Sequence, residues 1–379
     1  MSTRRGGDDV PLITVRRLAL PDFAISWAGN DPKSEGYCFG SEDGRICFVG
    51  LDGTPFGSPY DVAPSGEAIS GAAFADDMMA VSTRQEVVFL NGPRLGEGIV
   101  EQAVFYGGAF DVVATPQGGF VAPMGRNGLL ILGKKQEGAQ KVTTLKAGVE
   151  GFNFYKVAPL ARVPGGGDVI ACAARNDGFA VMTVGDAHSR TAGRRLRCPG
   201  VDFVDACSLG SESHPLAAAA LGLDKSIHLT YDALQDPSPK TLRFEGLRGR
   251  AYRIFCRRGH IILLTSEGLY ALMDVATRYL NGDPIDAPTK SQWLGIQPVD
   301  AEMTSGGHLL AVMTDSVYSI DVDTLTAEDE NRGATTRTGV ATNHTGKISL
   351  DPEMSDESWE HFDEKMWEES GQLELAGVR

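Results

Sequence analysis

The sequence predicts an all-β fold: a seven-bladed β-propeller whose N-terminal strand closes the last blade, followed by an acidic C-terminal tail with a short amphipathic helix. Three observations lead there. One hairpin pattern, seen first from Gly36 to Gly53 as GYCFGSEDGRICFVGLDG, recurs seven times. The copies follow one another at 42 to 50 residues, a period expected of propeller blades. An N-terminal run matches the outer strands of the copies, whereas the seventh copy has no outer strand of its own.

The residue after each tight turn anchors the alignment: Gly44, Glu86, Gly128, Gly178, Ser226, Gly268 and Ser316. Asp, Asn, Gly and Ser dominate the turns because they accept positive φ or bond their own backbone at small cost, so β-prone runs on either side pair as a hairpin. Upstream of the hairpins, FAISWAG at Phe23, AISGAAF at Ala68, AFDVVAT at Ala109, FNFYKVAPL at Phe152, VDFVDACSL at Val201, AYRIFC at Ala251 and PVDAEM at Pro298 read as innermost strands. Downstream, KVTTLKA at Lys141, RRLRCPG at Arg194 and KTLRFEG at Lys240 read as outer strands. The run Ile13 to Leu20 resembles these and is expected to pair with the seventh copy, which removes two exposed sheet edges. The expected domains are a propeller over residues 12–322, a disordered linker over 323–350, and an acidic tail with an interaction helix over 351–379.

Charge is uneven. From Asp323 to Arg379 there are 14 acidic and 5 basic residues, so the tail holds most of a net charge of −15. A chain this acidic is not expected to bind nucleic acid or an anionic membrane, since both need a concentrated basic face. The N-terminus lacks the apolar core of a secretory leader and no run reaches the roughly 20 apolar residues of a membrane span. Both point to a cytoplasmic protein.

Motifs for chemistry are sparse. There is no His-Glu-x-x-His, no Gly-x-Ser-x-Gly, no phosphate loop and no dinucleotide fingerprint. Cys38, Cys47, Cys172, Cys198, Cys207 and Cys256 are all expected in strands as reduced residues, and none forms a Cys-x-x-Cys pair. His260 and His308 hold equivalent positions at the start of second strands, too far apart to share a metal. No catalytic residue, metal or cofactor is therefore assigned. An enzyme working at the propeller axis, lactonase-like or hydrolase-like, would draw on acids and amides of the inner strands, and the candidates there are Asn153, Asp202, Asp205, Asp300 and Glu302.

The turns are more informative. Arg84, Arg126, Arg175 and Lys225 lie in the turns of blades two to five and are expected to form a basic arc on one face, opposite Asp43, Glu267 and Asp315. A ring of like charge focuses potential, and this arc suits an acidic partner.

The seven copies resemble a divergent WD-repeat-like propeller from about Leu12 to Val322. Gly50-Leu51, Leu90-Asn91 and Asp274-Val275 stand where that family has Trp-Asp, so the resemblance implies the blade architecture and a rigid platform for protein partners.

In the tail, Trp359, Phe362 and Met366 recur at i, i+3 and i+7 with Trp367 adjacent, on an otherwise acidic segment bounded by Ser355 and Gly371. The reading is a non-catalytic interaction scaffold, a monomeric ring or a subunit of a larger assembly. Its protein partners are unidentified, and its contacts are Arg84, Arg126, Arg175, Lys225, Trp359, Phe362, Met366 and Trp367.

Overall fold

The computed structural model describes residues 14–325 apart from short connecting segments, the longest being 92–100, 133–141, 146–152 and 185–191. Seven four-stranded antiparallel sheets form the ring. Blade 1 comprises Ile25–Gly29, Gly36–Ser41, Arg45–Gly50 and Pro55–Asp61; blade 2 comprises Gly71–Ala75, Met78–Ser82, Glu86–Asn91 and Glu101–Tyr106. Blade 3 follows with Val113–Ala114, Phe120–Pro123, Leu129–Leu132 and Val142–Leu145, and blade 4 with Asn153–Arg162, Asp168–Arg175, Gly178–Val184 and Ala192–Leu196. Blade 5 is built from Phe203–Ser208, Ala218–Gly222, Ile227–Thr230 and Lys240–Leu242, and blade 6 from Ala251–Arg257, His260–Thr265, Gly268–Leu272 and Gln292–Trp293. Blade 7 takes Asp300–Met303, His308–Val312 and Val317–Asp321 from its own copy and Thr14–Leu18 from the N-terminus.

That last pairing is the expected closure. Thr14 to Leu18 run antiparallel to Asp321 to Val317 residue for residue. Leu18 then enters a core cluster with Ile25, Tyr37 and Phe39 of blade 1 and Leu310, Val312 and Val317 of blade 7. A short polar chain crosses the same seam: the Tyr37 hydroxyl lies 3.2 Å from Ser319 Oγ, which lies 3.2 Å from His308 Nδ1. Tyr37 and Ser319 thus tie the first blade to the last, with His308 behind the serine.

Why the inner hairpin strands read as continuous apolar runs is clear from the packing. Each of the seven core clusters among the described residues lies between two neighbouring blades, so a strand such as LLIL or AAALG is buried on both faces. Alternation survives only where one face meets the axis or solvent.

Three local readings differ from expectation. In blade 1 the structural equivalent of the anchor is Arg45 rather than Gly44, because Gly40 pairs with Ile46 across a turn one residue longer than the one joining Ser82 to Val87. Gly44 sits inside that turn at φ 81°. Cys198 lies outside the strands, half-buried, whereas the other five cysteines are in strands as expected; all six are free. Blade 6 inserts a helix, Val275–Leu280, before its outer strand. Its signals were local: Asp274 ahead of it and Asn281-Gly282 behind, in a copy that otherwise looked like pure strand. The helix rests on the first turn of the blade, where a Cβ on Gly259 would collide with Thr277 and His260 Nδ1 accepts the Asp274 N–H at 3.0 Å.

The folded body continues past the last strand. Val322 and Leu325 are buried in the cluster between blades 6 and 7. Asp323 binds the guanidinium groups of Arg257, at 2.9 Å, and Arg258, at 3.0 Å, which fastens the end of blade 7 to the first turn of blade 6.

Two tests follow from this architecture. Removing residues up to Leu20 exposes the edge of Val317–Asp321 and opens the seam, and should cause aggregation or a large drop in melting temperature, with Leu18→Ala alone costing about 2–5 kcal/mol in a denaturant titration. Equal melting of the truncated and full chains would refute closure by pairing. The Asp323 carboxyl is held below the usual carboxylate range by its hydrogen bond to Arg257, so its contribution to stability is present above pH 3.8 and is lost as pH falls through the depressed value. Asp323→Asn should therefore lower the melting temperature at neutral pH and make no difference in strong acid.

Candidate functional site

The inner strands converge at the axis, and one level there carries a run of charged residues. Trp27 pairs with Gly40, Gly71 with Ser82, Lys156 with Ala173, Asp205 with Leu221, Arg253 with Leu264 and Asp300 with Val312. Asp111 stands at the same level in blade 3, next to Phe110, whose N–H bonds the Pro123 carbonyl. Each is thus the same position of its blade. In blades 1, 4, 5 and 6 a β-bulge immediately precedes it, between Ile25 and Trp27, Phe154 and Lys156, Phe203 and Asp205, and Ala251 and Arg253. A bulge bends a strand and re-aims the side chain that follows it.

From blade 3 to blade 7 the charge at this level alternates: Asp111, Lys156, Asp205, Arg253, Asp300. Lys156 Nζ lies 2.9 Å from Asp111 Oδ2. Arg253 contacts Asp205 through Nε at 3.3 Å, Asp300 through a terminal nitrogen at 3.2 Å, and Glu302, one turn of the pleat further along the strand, at 2.6 Å. The aspartates share a second device. Asp111, Asp205 and Asp300 each accept the backbone N–H of the next residue, at 2.9, 2.8 and 2.8 Å, and Asp205 also accepts Ile254 N–H from the neighbouring blade at 2.9 Å. Gly71 belongs to this arrangement as well, since a Cβ there would lie 2.5 Å from Asp111 Oδ1.

The electrostatics follow from burial and pairing. Burial disfavours the Arg253 charge, but Glu302, Asp300 and Asp205 outweigh it and hold the guanidinium well above its ordinary pKa. Burial raises the Asp205 carboxyl, with Arg253 and Lys156 opposing. Glu302 is raised by burial and further by the like charges of Asp111 and Asp300. Four carboxylates face two cations, so the axis carries an excess of negative charge.

Sequence reasoning had named three members of this group, Asp205, Asp300 and Glu302, as scattered candidates, and the structure brings them together on Arg253. It does not bring in Asn153, which donates to the Tyr155 hydroxyl at 3.0 Å, or Asp202. Asp111, Lys156 and Arg253 were missed. The signal was an ionisable residue inside a strand that otherwise reads as apolar, repeated in each blade from the third to the seventh.

Arg84, Arg126 and Lys225 lie in turns between the second and third strands of blades 2, 3 and 5, Arg84 and Arg126 exposed, whereas Arg175 is the last residue of the strand Asp168–Arg175. Acids are interleaved with them. Glu67 acts electrostatically on Arg84, and beside Lys225 the Asp224 carboxylate binds Arg243 at 2.8 Å. Lys225 itself donates to the Leu247 carbonyl at 3.3 Å. Asp43, one of the acids expected opposite the basic arc, is bound by Arg45 at 2.6 Å. Of Arg175 only the backbone is described, and Asp315, Trp359, Phe362, Met366 and Trp367 lie outside the described residues.

One constellation has the residue types of a hydrolase. Ser226 Oγ lies 2.9 Å from His228 Nε2 and donates to Asp224, and His228 Nδ1 meets Thr241 Oγ1 at 3.1 Å. The roles are those of a strand tie: the carboxylate holds the serine rather than orienting the imidazole, and Ser226 is fully buried. Burial likewise keeps two neighbouring cysteines as thiols: it pushes Cys256 up to about 12 and, with the charges of Cys256 and Asp205 adding to it, raises Cys207 well above the ordinary thiol range.

With this geometry in view, comparison with solved structures places the chain beside a catalytically inactive virginiamycin B lyase from Staphylococcus aureus in complex with quinupristin. The TM-score is 0.60, the identity is 10%, and the match covers 82% of this chain and 99% of that one. At that identity the likeness is one of fold. No family model matches the chain, and no curated protein does. No described helix is long and apolar enough to cross a membrane.

The charged ring predicts its own weak point. Arg253→Met leaves Asp205, Asp300 and Glu302 without their shared cation and should cost about 3–5 kcal/mol in a chemical denaturation at neutral pH. Raised carboxyl values favour the fold below the ordinary values of 3.8 and 4.5, a contribution lost as pH rises through the raised ones. Loss of Arg253 raises them further, so the deficit should shrink on acidification; a deficit independent of pH would show that packing alone was lost.

Proposed function

We propose that the protein is a non-catalytic interaction scaffold, a propeller platform whose partners are other proteins. The observation that carries this reading is the state of the axial charges. Propeller enzymes assemble their chemistry at the axis, where groups from several blades converge, and here those groups are committed to one another: Arg253 joins blades 5, 6 and 7, and Lys156 joins blades 3 and 4. Groups tied this way fix the relative positions of blades and make the exposed loops a rigid surface.

The contacts proposed for this surface are the turn cations Arg84, Arg126, Arg175 and Lys225, facing an acidic partner region. A second contact is the tail, where Trp359, Phe362, Met366 and Trp367 suit insertion into a partner groove, since aromatic anchors on one helical stripe commonly dominate such binding. The competing reading is a hydrolase or lactonase working through Asp205, Asp300 and Glu302, and stoichiometric Ca or Zn in purified protein would favour it.

The deciding experiment uses the full chain as bait in lysate of its own host, beside a Trp359→Ala/Phe362→Ala variant. A partner retained by the first and lost by the second, at unchanged melting temperature, is the expected result. A lower melting temperature would instead show that the segment packs on its own chain, and no effect on either readout would refute the docking role.

A further inference from the structure

We infer that the segment Trp293 to Asp300, crossing from the rim of blade 6 to the axis at blade 7, is a track for an extended partner peptide that lays apolar side chains along it and places a lysine or arginine in the axial mouth. The inference rests on the platform reading above and adds the chemistry of one partner.

Two independent features carry it. The first is apolar exposure on the segment that joins the outer strand of blade 6 to the inner strand of blade 7. Trp293 is 46% exposed and Val299 53%, and they belong to the few large hydrophobic residues exposed among the described residues. Ile296 lies half-buried between them. Backbone bonds hold the segment against the blade: Leu294 N–H donates to the Leu269 carbonyl, Leu269 N–H to the Ile296 carbonyl, and Val299 N–H to the Val312 carbonyl. The Gln297 side chain adds a bond to the Ser266 carbonyl at 2.7 Å. The exposed side chains therefore sit on fixed backbone, which lowers the entropy cost of binding them.

The second feature is the sign of the charge at the inner end. Val299 is followed directly by Asp300, and the Asp300 and Glu302 side chains remain 31% and 32% accessible although both touch Arg253. With four carboxylates against two cations among the described residues, the axis holds charge that Arg253 and Lys156 leave uncompensated; burial raises the Glu302 carboxyl, and repulsion from Asp111 and Asp300 adds to it. A cationic side chain entering there relieves that repulsion. At the outer end neither sign prevails: Arg248 and Glu267 are both exposed, and both act on Tyr270, which pairs with Trp293. A peptide basic at one end is thus oriented along the track, inward end positive.

The probe is a phage library of random dodecapeptides, selected on the immobilised full chain. The expected consensus is two or three large apolar residues followed by lysine or arginine. Binding of the selected peptide, read by fluorescence anisotropy, should weaken about tenfold or more in Val299→Ser and in Glu302→Gln. Val299 is exposed, so Val299→Ser keeps its melting temperature and tests the track even if Glu302→Gln destabilises the ring. An acidic consensus, no enrichment, or a selected peptide indifferent to Val299→Ser overturns the proposal. If the bait still captures a partner through Trp359 and Phe362 while no basic, apolar peptide is enriched, the track fails and the platform stands; if neither occurs, both fail.

Discussion

Seven inner strands meeting at one level around an axis impose the constraint on which the rest of the ring depends. Each residue at that level has a neighbour on either side, so its charge cannot be chosen alone. Alternation of sign satisfies both neighbours, but an odd number of blades cannot alternate all the way round. The chain resolves this by alternating over five blades and placing Gly71 and Trp27 at the other two, which separates Asp300 from Asp111. Gly71 leaves room for the Asp111 carboxylate, while Trp27 is buried in the core between blades 1 and 2.

Buried ion pairs are weak evidence for stability, because desolvation offsets much of the Coulomb gain. What this ring adds is geometry. Asp205 accepts backbone N–H groups from blades 5 and 6 at once, so the carboxylate measures the offset between two sheets whose shared core is apolar. Apolar contact is non-directional and permits sliding. A carboxylate with two fixed donors does not. The apolar clusters drive the blades together, and the axial bonds select one register for them.

The blade count, the hairpins and the closing strand were legible because they rest on local chemistry: a turn of Asp, Asn, Gly or Ser between β-prone runs, and an outer strand missing at one end and present at the other. The axial ring was not, for a geometrical reason. Asp111 stands 17 residues before its anchor Gly128, whereas Lys156 stands 22 before Gly178 and Arg253 only 15 before Gly268. The first turn of each blade varies in length, so an alignment on the second turn puts the inner strands out of phase. Asp205, Asp300 and Glu302 consequently looked scattered. The bulges hide the level further, since an extra residue before Lys156, Asp205 and Arg253 inverts the apparent face of every residue that follows.

The same geometry separates what the ring holds constant from what it can vary. A side chain at the axial level answers to two neighbouring blades, and changing Arg253 disturbs three of them. The Trp293 and Val299 side chains are instead largely given to solvent, because the backbone beneath them is bonded to blade 6 through Leu269 and to blade 7 through Val312. Large apolar residues exposed on such a segment gain nothing for the fold: burying each would be favourable by roughly 1.5–3 kcal/mol, and the ring leaves that free energy unused. Residues that the fold does not need, held rigidly beside charges that the fold cannot fully neutralise, are what the proposed peptide would draw its binding free energy from.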